Sequence, residues 1–132
     1  MAPHWVSQEA VFMWHEQLLA QFGGSGGLRD RGLLDSALAR PRNLYAYGKP
    51  MVFSLSASYA FGLAKNHAFI DGNKRVAFLV AVVFLELNGK RFCASEADSA
   101  VQTLALAAGD LNEEAFASWL EKNSQRDGSE DL

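Results

Sequence analysis

The feature that most limits what this chain can fold into is the change of character at residue 76. Before it, His67-Ala68-Phe69-Ile70-Asp71-Gly72-Asn73-Lys74-Arg75 crowd an imidazole, a carboxylate, a glycine, an amide and two cations into one segment. After it, Val76 to Leu85 is apolar without interruption. The run is half the length a membrane span needs, so it reads as a core helix buried on all sides. A polar loop that opens such a helix suits an anion, because the first-turn N–H groups lack intrahelical partners and the helix dipole adds positive potential. Gly72 lets the backbone come close to a phosphate, and Lys74 and Arg75 can neutralise it. Asp71 can hold Mg2+ and His67 can take a proton from a hydroxyl. Those are the parts of a phosphate-transfer site.

Helical periodicity extends over most of the chain. Val11, Phe12, His15, Leu18, Leu19 and Phe22 recur at three- and four-residue steps, predicting an amphipathic helix after Ser7, with His15 a packed side chain. Gly23-Gly24-Ser25-Gly26-Gly27 ends it. Asp30 caps a short second helix that Pro41 closes, and Asn43 to Pro50, without periodicity, reads as a loop or small hairpin. Ser54 opens a third helix whose Ala57, Ala60, Gly62 and Ala64 permit close approach. The fourth ends at Asn88-Gly89, and Lys90 to Ala94 is a short extended crossing. Ser95 and Asn112 cap a fifth and a sixth helix. The prediction is an all-α domain, a six-helix bundle with the motif loop between two central helices. The domain covers residues 1–123, and a polar acidic tail, 124–132, is expected to be disordered.

Composition closes off other classes. With 132 residues the chain is one domain. Its net charge of −3 includes Asp127, Glu130 and Asp131 near the end, and no broad basic face is left for direct nucleic-acid binding. Cys93 is the single cysteine, so no intrachain disulfide forms, and it reads as a small buried or half-buried hydrophobe. No basic segment precedes an apolar stretch at the start, so neither signal peptide nor membrane span is expected, and a reducing cytoplasm fits.

Each motif residue also has a plainer reading. His67 can cap the preceding helix, and Asp71 can cap the following one. Lys74 and Arg75 can be solvated charges, although a helix followed by ten apolar residues has little solvated face. Asn73 either bonds phosphate oxygens or closes the loop on itself. Phe69 is a plug that fixes the loop. Arg29 and Asp30 look structural, a pair at a helix start. A metal hydrolase is disfavoured, since one His and one Asp four residues apart are too few ligands.

The nine-residue segment resembles the H-x-F-x-D-G-N-K-R motif of the Doc branch of the Fic/Doc family. Gly27-Leu28-Arg29-Asp30-Arg31-Gly32-Leu33-Leu34-Asp35-Ser36-Ala37-Leu38-Ala39-Arg40-Pro41 resembles a second segment of the same group, G-[LI]-R-D-x-G-L-L-x-S-A-L-x-R-P. Tyr59 to Asn66 and Phe84 to Gly89 match the helices on either side of the loop. The likeness covers roughly residues 8 to 122, and two separated motifs in the same order are a specific signal.

The resemblance implies a Fic/Doc-like bundle with a small flap, in which Tyr45, Tyr47 and Lys49 would help dock a substrate. It implies an ATP- and Mg2+-dependent protein kinase, the toxin of a type II toxin–antitoxin pair, that phosphorylates a threonine of elongation factor Tu and halts translation. His67 would be the general base, Asp71 the Mg2+ ligand, and Gly72, Asn73, Lys74 and Arg75 the anion hole. AMP-transferring members carry H-x-F-x-[DE]-G-N-G-R-x-x-R. Here Lys74 replaces the glycine and Phe78 the second arginine, as in the Doc branch, where the nucleotide lies in reversed sense. Ala68 and Val76 depart from a frequent proline and threonine without removing a catalytic group. A Phd-like antitoxin is the implied partner, its tail folding as a helix onto this protein; Trp5, Met13 and Trp14, awkward for a solvated surface, either form its landing site beside the first helix or finish the core. The rival readings are AMP transfer to a protein hydroxyl and a non-catalytic binding module.

Overall fold

The computed structural model describes residues 2–126. Among these, six helices follow in order: α1 (Gln8–Phe22), α2 (Arg31–Gly48), α3 (Val52–Asn66), α4 (Asn73–Leu87), α5 (Glu96–Ala108) and α6 (Glu113–Lys122). Two three-residue strands, β1 (Lys90–Phe92) and β2 (Ser124–Arg126), form an antiparallel ribbon, with Lys90 opposite Arg126. The fold is all-α, as the periodicity predicts. Four helices start on side chains that accept a first-turn N–H: Ser7 from Ala10, Asp30 from Leu33, Ser95 from Asp98 and Asn112 from Ala115. Each such cap is worth about 1 kcal/mol.

α3 is the central helix, with ten of its fifteen residues buried, which places neighbours on every side of it. One cluster joins it to α1, α2 and α4 through Val11, Leu34, Ala37, Tyr59, Leu63, Val76, Val80 and Phe84. A second joins it to α4, α5 and α6 through Phe53, Ala57, Ala60, Ala81, Leu85, Leu106, Phe116 and Leu120. Each fully buried Phe or Leu contributes roughly 1.5–3 kcal/mol by leaving water. Gly62 makes the α2–α3 crossing tight: a Cβ there would lie 3.1 Å from Ala37 Cα.

Five expectations change. α4 is not buried all round: Val76, Ala77, Val80, Ala81, Phe84 and Leu85 are, whereas Phe78, Leu79, Val82 and Val83 are half-buried. Phe78 is covered from the side by Phe92 at 5.7 Å. α3 begins at Val52 after Met51, two residues ahead of Ser54.

The largest change is in α2, which runs through Pro41 and takes up the stretch read as a loop, hairpin or flap, ending only at Lys49. Proline removes one N–H and favours a break, but packing outweighs it here. The Pro41 ring is buried. Arg40 before it grips Glu113 of α6 at 2.7 and 2.8 Å, bonds Ser58 at 3.0 Å and lies over the Phe61 ring. Beyond it, Tyr45 meets the edge of Trp5 at 5.8 Å.

Finally, Ser124–Arg126 are paired as β2, not disordered, because Cys93 N–H donates to Asn123 O and the register continues along Lys90–Phe92. Residues 127–132 of the expected tail lie outside the described residues. Cys93 is exposed, contrary to its reading as a packed hydrophobe. No helix among the described residues is long and apolar enough to cross a membrane.

Candidate active site

The motif loop is built from both ends. α3 stops at His67, whose φ of 50° is left-handed, an uncommon state for a residue with a side chain. The strain is held by Arg29, whose Nε donates to His67 O at 2.7 Å and whose guanidinium also reaches Asn66 O at 3.1 Å. These are the carbonyls a helix end leaves without partners. The backbone around Arg29 adds three bonds: Arg29 and Asp30 N–H to Ala68 O at 2.7 and 3.0 Å, and Ile70 N–H to Gly27 O at 3.1 Å. Leu28 and Phe69 thus pair as an isolated bridge. The two motifs, far apart in the chain, are one structure.

Below the loop, Phe69 is the expected plug, 2% exposed. Its ring lies edge-on to Phe12 and flat against His15, with centroids 3.8 Å apart. Asn73 decides between its two readings. It is buried, its Oδ1 accepts from Phe69 N–H at 3.0 Å, and its Nδ2 donates to Phe69 O at 2.9 Å. The side chain closes the loop on itself, which corrects the expectation that it faces a phosphate. What Asn73 offers an anion is its backbone N–H.

Asp71 is not the α4 cap. That position is Gly72, in left-handed conformation at φ 78°, with no side-chain cap bond. The Asp71 carboxylate instead accepts Gly72 N–H at 2.8 Å on Oδ1 and Ser25 N–H at 3.3 Å on Oδ2. A carboxylate has about four lone-pair sites, so an exposed one retains room for a cation. Mg2+ takes one or two carboxylates together with substrate phosphates. A single hard oxygen donor beside an anion-binding surface fits that habit. No cluster of three or more His, Cys, Asp or Glu exists among the described residues that would hold a metal alone.

The first i→i−4 bond of α4 runs from Val76 N–H to Gly72 O, so the N–H groups of 73 to 75 have no intrahelical acceptor. Lys74 and Arg75 are exposed beside them, and neither forms a salt bridge among the described residues. Arg75 lies over the Phe22 ring at 4.5 Å, which steers the guanidinium without consuming its donors. The His67 ring is exposed and makes no hydrogen bond among the described residues, leaving it free to meet a hydroxyl. The loop therefore presents a base, a carboxylate, three N–H groups and two unpaired cations together. His67, Asp71, Lys74 and Arg75 are all exposed there. Two concavities, of about 520 and 460 Å3, lie elsewhere, beside Tyr45 and Asn88 and beside Asp35 and Arg42.

Sequence reasoning missed His15, Arg29 and the glycine loop as parts of this site. For Arg29 the signal was the Gly27–Pro41 motif itself, whereas His15 and Gly23–Gly26 lie outside it. A segment whose glycine and arginine are specific without bearing chemistry is apt to hold up something that does.

Both motifs lie within the stretch that matches a known family. The Fic/DOC family model matches residues 5–85, which contain both motifs. The chain is 30% identical over 118 residues to "Protein kinase doc" of Escherichia phage P1, covering 89% of this chain and 93% of that one. It is 45% identical over 76 residues to "Toxin Doc" of Mycolicibacterium smegmatis, an alignment spanning 55% of this chain and 58% of that relative's length. By the extent of the family match and of the phage alignment, the chain belongs to the Fic/DOC family.

Proposed function

We propose that this chain is a Doc-like toxin: a cytoplasmic protein kinase that transfers the ATP γ-phosphate to a threonine of elongation factor Tu and is restrained by a Phd-like antitoxin in a type II pair. The observation that carries the reading is Lys74, exposed in the first turn of an uncapped α4 where AMP-transferring relatives have glycine. The phage relative, similar along nearly the whole chain and named a protein kinase, supports it.

In this reading His67 takes the acceptor hydroxyl proton while that oxygen bonds the γ-phosphorus. The bond from the γ-phosphorus to the bridging oxygen breaks, and ADP leaves. The backbone N–H groups of Asn73, Lys74 and Arg75, with the two side-chain cations, hold the phosphate oxygens as charge moves among them. Asp71 would hold Mg2+, which neutralises phosphate charge when bound. Gly72 supplies the left-handed backbone from which α4 starts, and a Cβ there would meet His15 and Leu19 of α1. The partner's tail would seat beside α1, where Met13 is exposed and Trp14 half-buried. Trp5 is less suited to that role than the sequence suggests: it stacks on Phe84 at 5.8 Å beneath Arg42 and completes the core.

The test is ATP labelled at either the γ- or the α-phosphate, incubated with the chain and elongation factor Tu. The expected result is γ-label on a threonine, lost in Lys74→Gly. Transfer of α-label would instead mark a nucleotidyl transferase. Label on other proteins but never on elongation factor Tu would remove the target.

A further inference from the structure

We propose that His15 is a positioning residue for the motif loop, holding Asp71 in the orientation in which its carboxylate meets phosphate-bound Mg2+; this rests on the reading above. His15 stands on α1, outside both motifs, and is 3% exposed. Its Nε2 lies 2.7 Å from Asp71 O. A carbonyl only accepts, so Nε2 carries the proton, and the partner thereby sets the tautomer. The same ring lies at 15° to Phe69, and Nε2 is 3.5 Å from where a Gly72 Cβ would stand. One imidazole thus packs on Phe69, bonds Asp71 and stands on the side of Gly72 where a Cβ would be.

The bond falls on an informative atom. Asp71 C=O and Gly72 N–H belong to one planar peptide unit, so fixing the oxygen fixes the N–H. That N–H is the one donating to Asp71 Oδ1 at 2.8 Å. His15 therefore orients, through one peptide plane, the carboxylate proposed to hold the metal. The glycine loop that follows α1 grips the other carboxylate oxygen through Ser25 N–H. It also lies so close that a Cβ at Gly24 would come within 2.7 Å of Oδ2. A histidine buried only to fill space would be served as well by leucine, without the cost of burying a polar ring. Here the ring's bond ends on the site's one carboxylate residue.

Two variants separate the bond from the packing. His15→Leu keeps an apolar side chain and loses the donor; His15→Gln keeps an amide donor at a similar reach. Isothermal titration with Mg2+ and ATP should show His15→Leu binding the pair about 10- to 100-fold more weakly, the usual effect of losing a group that orients a metal ligand. His15→Gln should fall back toward wild type. In turnover, His15→Leu should lose kcat with little change in the KM for the protein substrate. Equal binding by His15→Leu and wild type, or equal weakening in both variants, overturns the proposal. Should His15→Leu not fold, the wild-type protein still decides. Its His15 Nε2–H must give a slowly exchanging NMR resonance that moves when Mg2+ and ATP are added, and rapid exchange of that proton overturns the proposal. Wild type that binds no nucleotide while showing a protected Nε2–H sinks the kinase reading instead.

Discussion

At the scale of single residues, the division is between side chains that face solvent and side chains that hold the loop. His67, Lys74 and Arg75 belong to the first group, and removing them takes little from the core. His67→Ala should lower phosphotransfer by about 10²–10⁴-fold, the usual worth of a general base. Expressed in a bacterium, wild type should arrest growth, and His67→Ala and Arg75→Ala should relieve the arrest at matched levels of folded protein. Arg75→Ala gives up the contact with Phe22, worth about 0.5–1 kcal/mol at an exposed site, so its melting temperature should barely move. Arrest by His67→Ala as strong as that of wild type would remove the base from the mechanism. As candidates these residues were legible beforehand because residue type, spacing and an adjoining apolar run single them out locally. The role of Asn73 was not, since its acceptor and donor on Phe69 become partners only once the loop has turned back on itself.

At the scale of elements, local signals decided where packing did not oppose them. Ser7, Ser95 and Asn112 cap the helices they were expected to cap, each by a bond to a residue three positions on. Pro41 misled because its signal is local and its answer is not: Arg40 reaches α6 across the molecule, and the helix continues. The strand at Ser124–Arg126 was hidden for the same reason, since polar residues form it only when β1 supplies the partners. Gly62 is the place to test element packing. Alanine there would gain about 1 kcal/mol of helix propensity, whereas overpacking typically costs about 1–3 kcal/mol, so crowding should win. Gly62→Val brings more atoms against the Ala37 backbone and forgoes most of that gain. Its melting temperature should drop by roughly 4–12 °C, at about 4 °C per kcal/mol. An unchanged melting curve would mean that α2 and α3 can move apart freely.

For the whole molecule, the all-α class and the central place of α3 and α4 followed from periodicity, because a helix apolar on most faces must be surrounded. How much of α4 remains half-exposed depends on neighbours the pattern does not name. One buried group ties overall stability to pH. Tyr59 is fully buried in the first core cluster, its hydroxyl accepting Val6 N–H at 3.2 Å. Burial raises its pKa above the ordinary tyrosine value, with the Val6 bond and the Arg42 charge pulling the other way. A group whose pKa is higher folded than unfolded stabilises fully below the unfolded value, about 10, and less as pH rises past it. Melting temperature should therefore fall more steeply above about pH 10 in wild type than in Tyr59→Phe, which has no phenol to ionise. Parallel curves would show that another group governs alkaline unfolding.

The bridge between Leu28 and Phe69 has a bearing on heredity. Arg29, the backbone at 27–30 and the loop at 66–70 exchange bonds as one body, although nearly forty positions of chain separate them. A recombination event that carried the nine-residue motif into a relative without its glycine-rich segment would move the chemistry and leave its mould behind. Crossover points that preserve activity should fall before Phe12 or after Arg75, and seldom between.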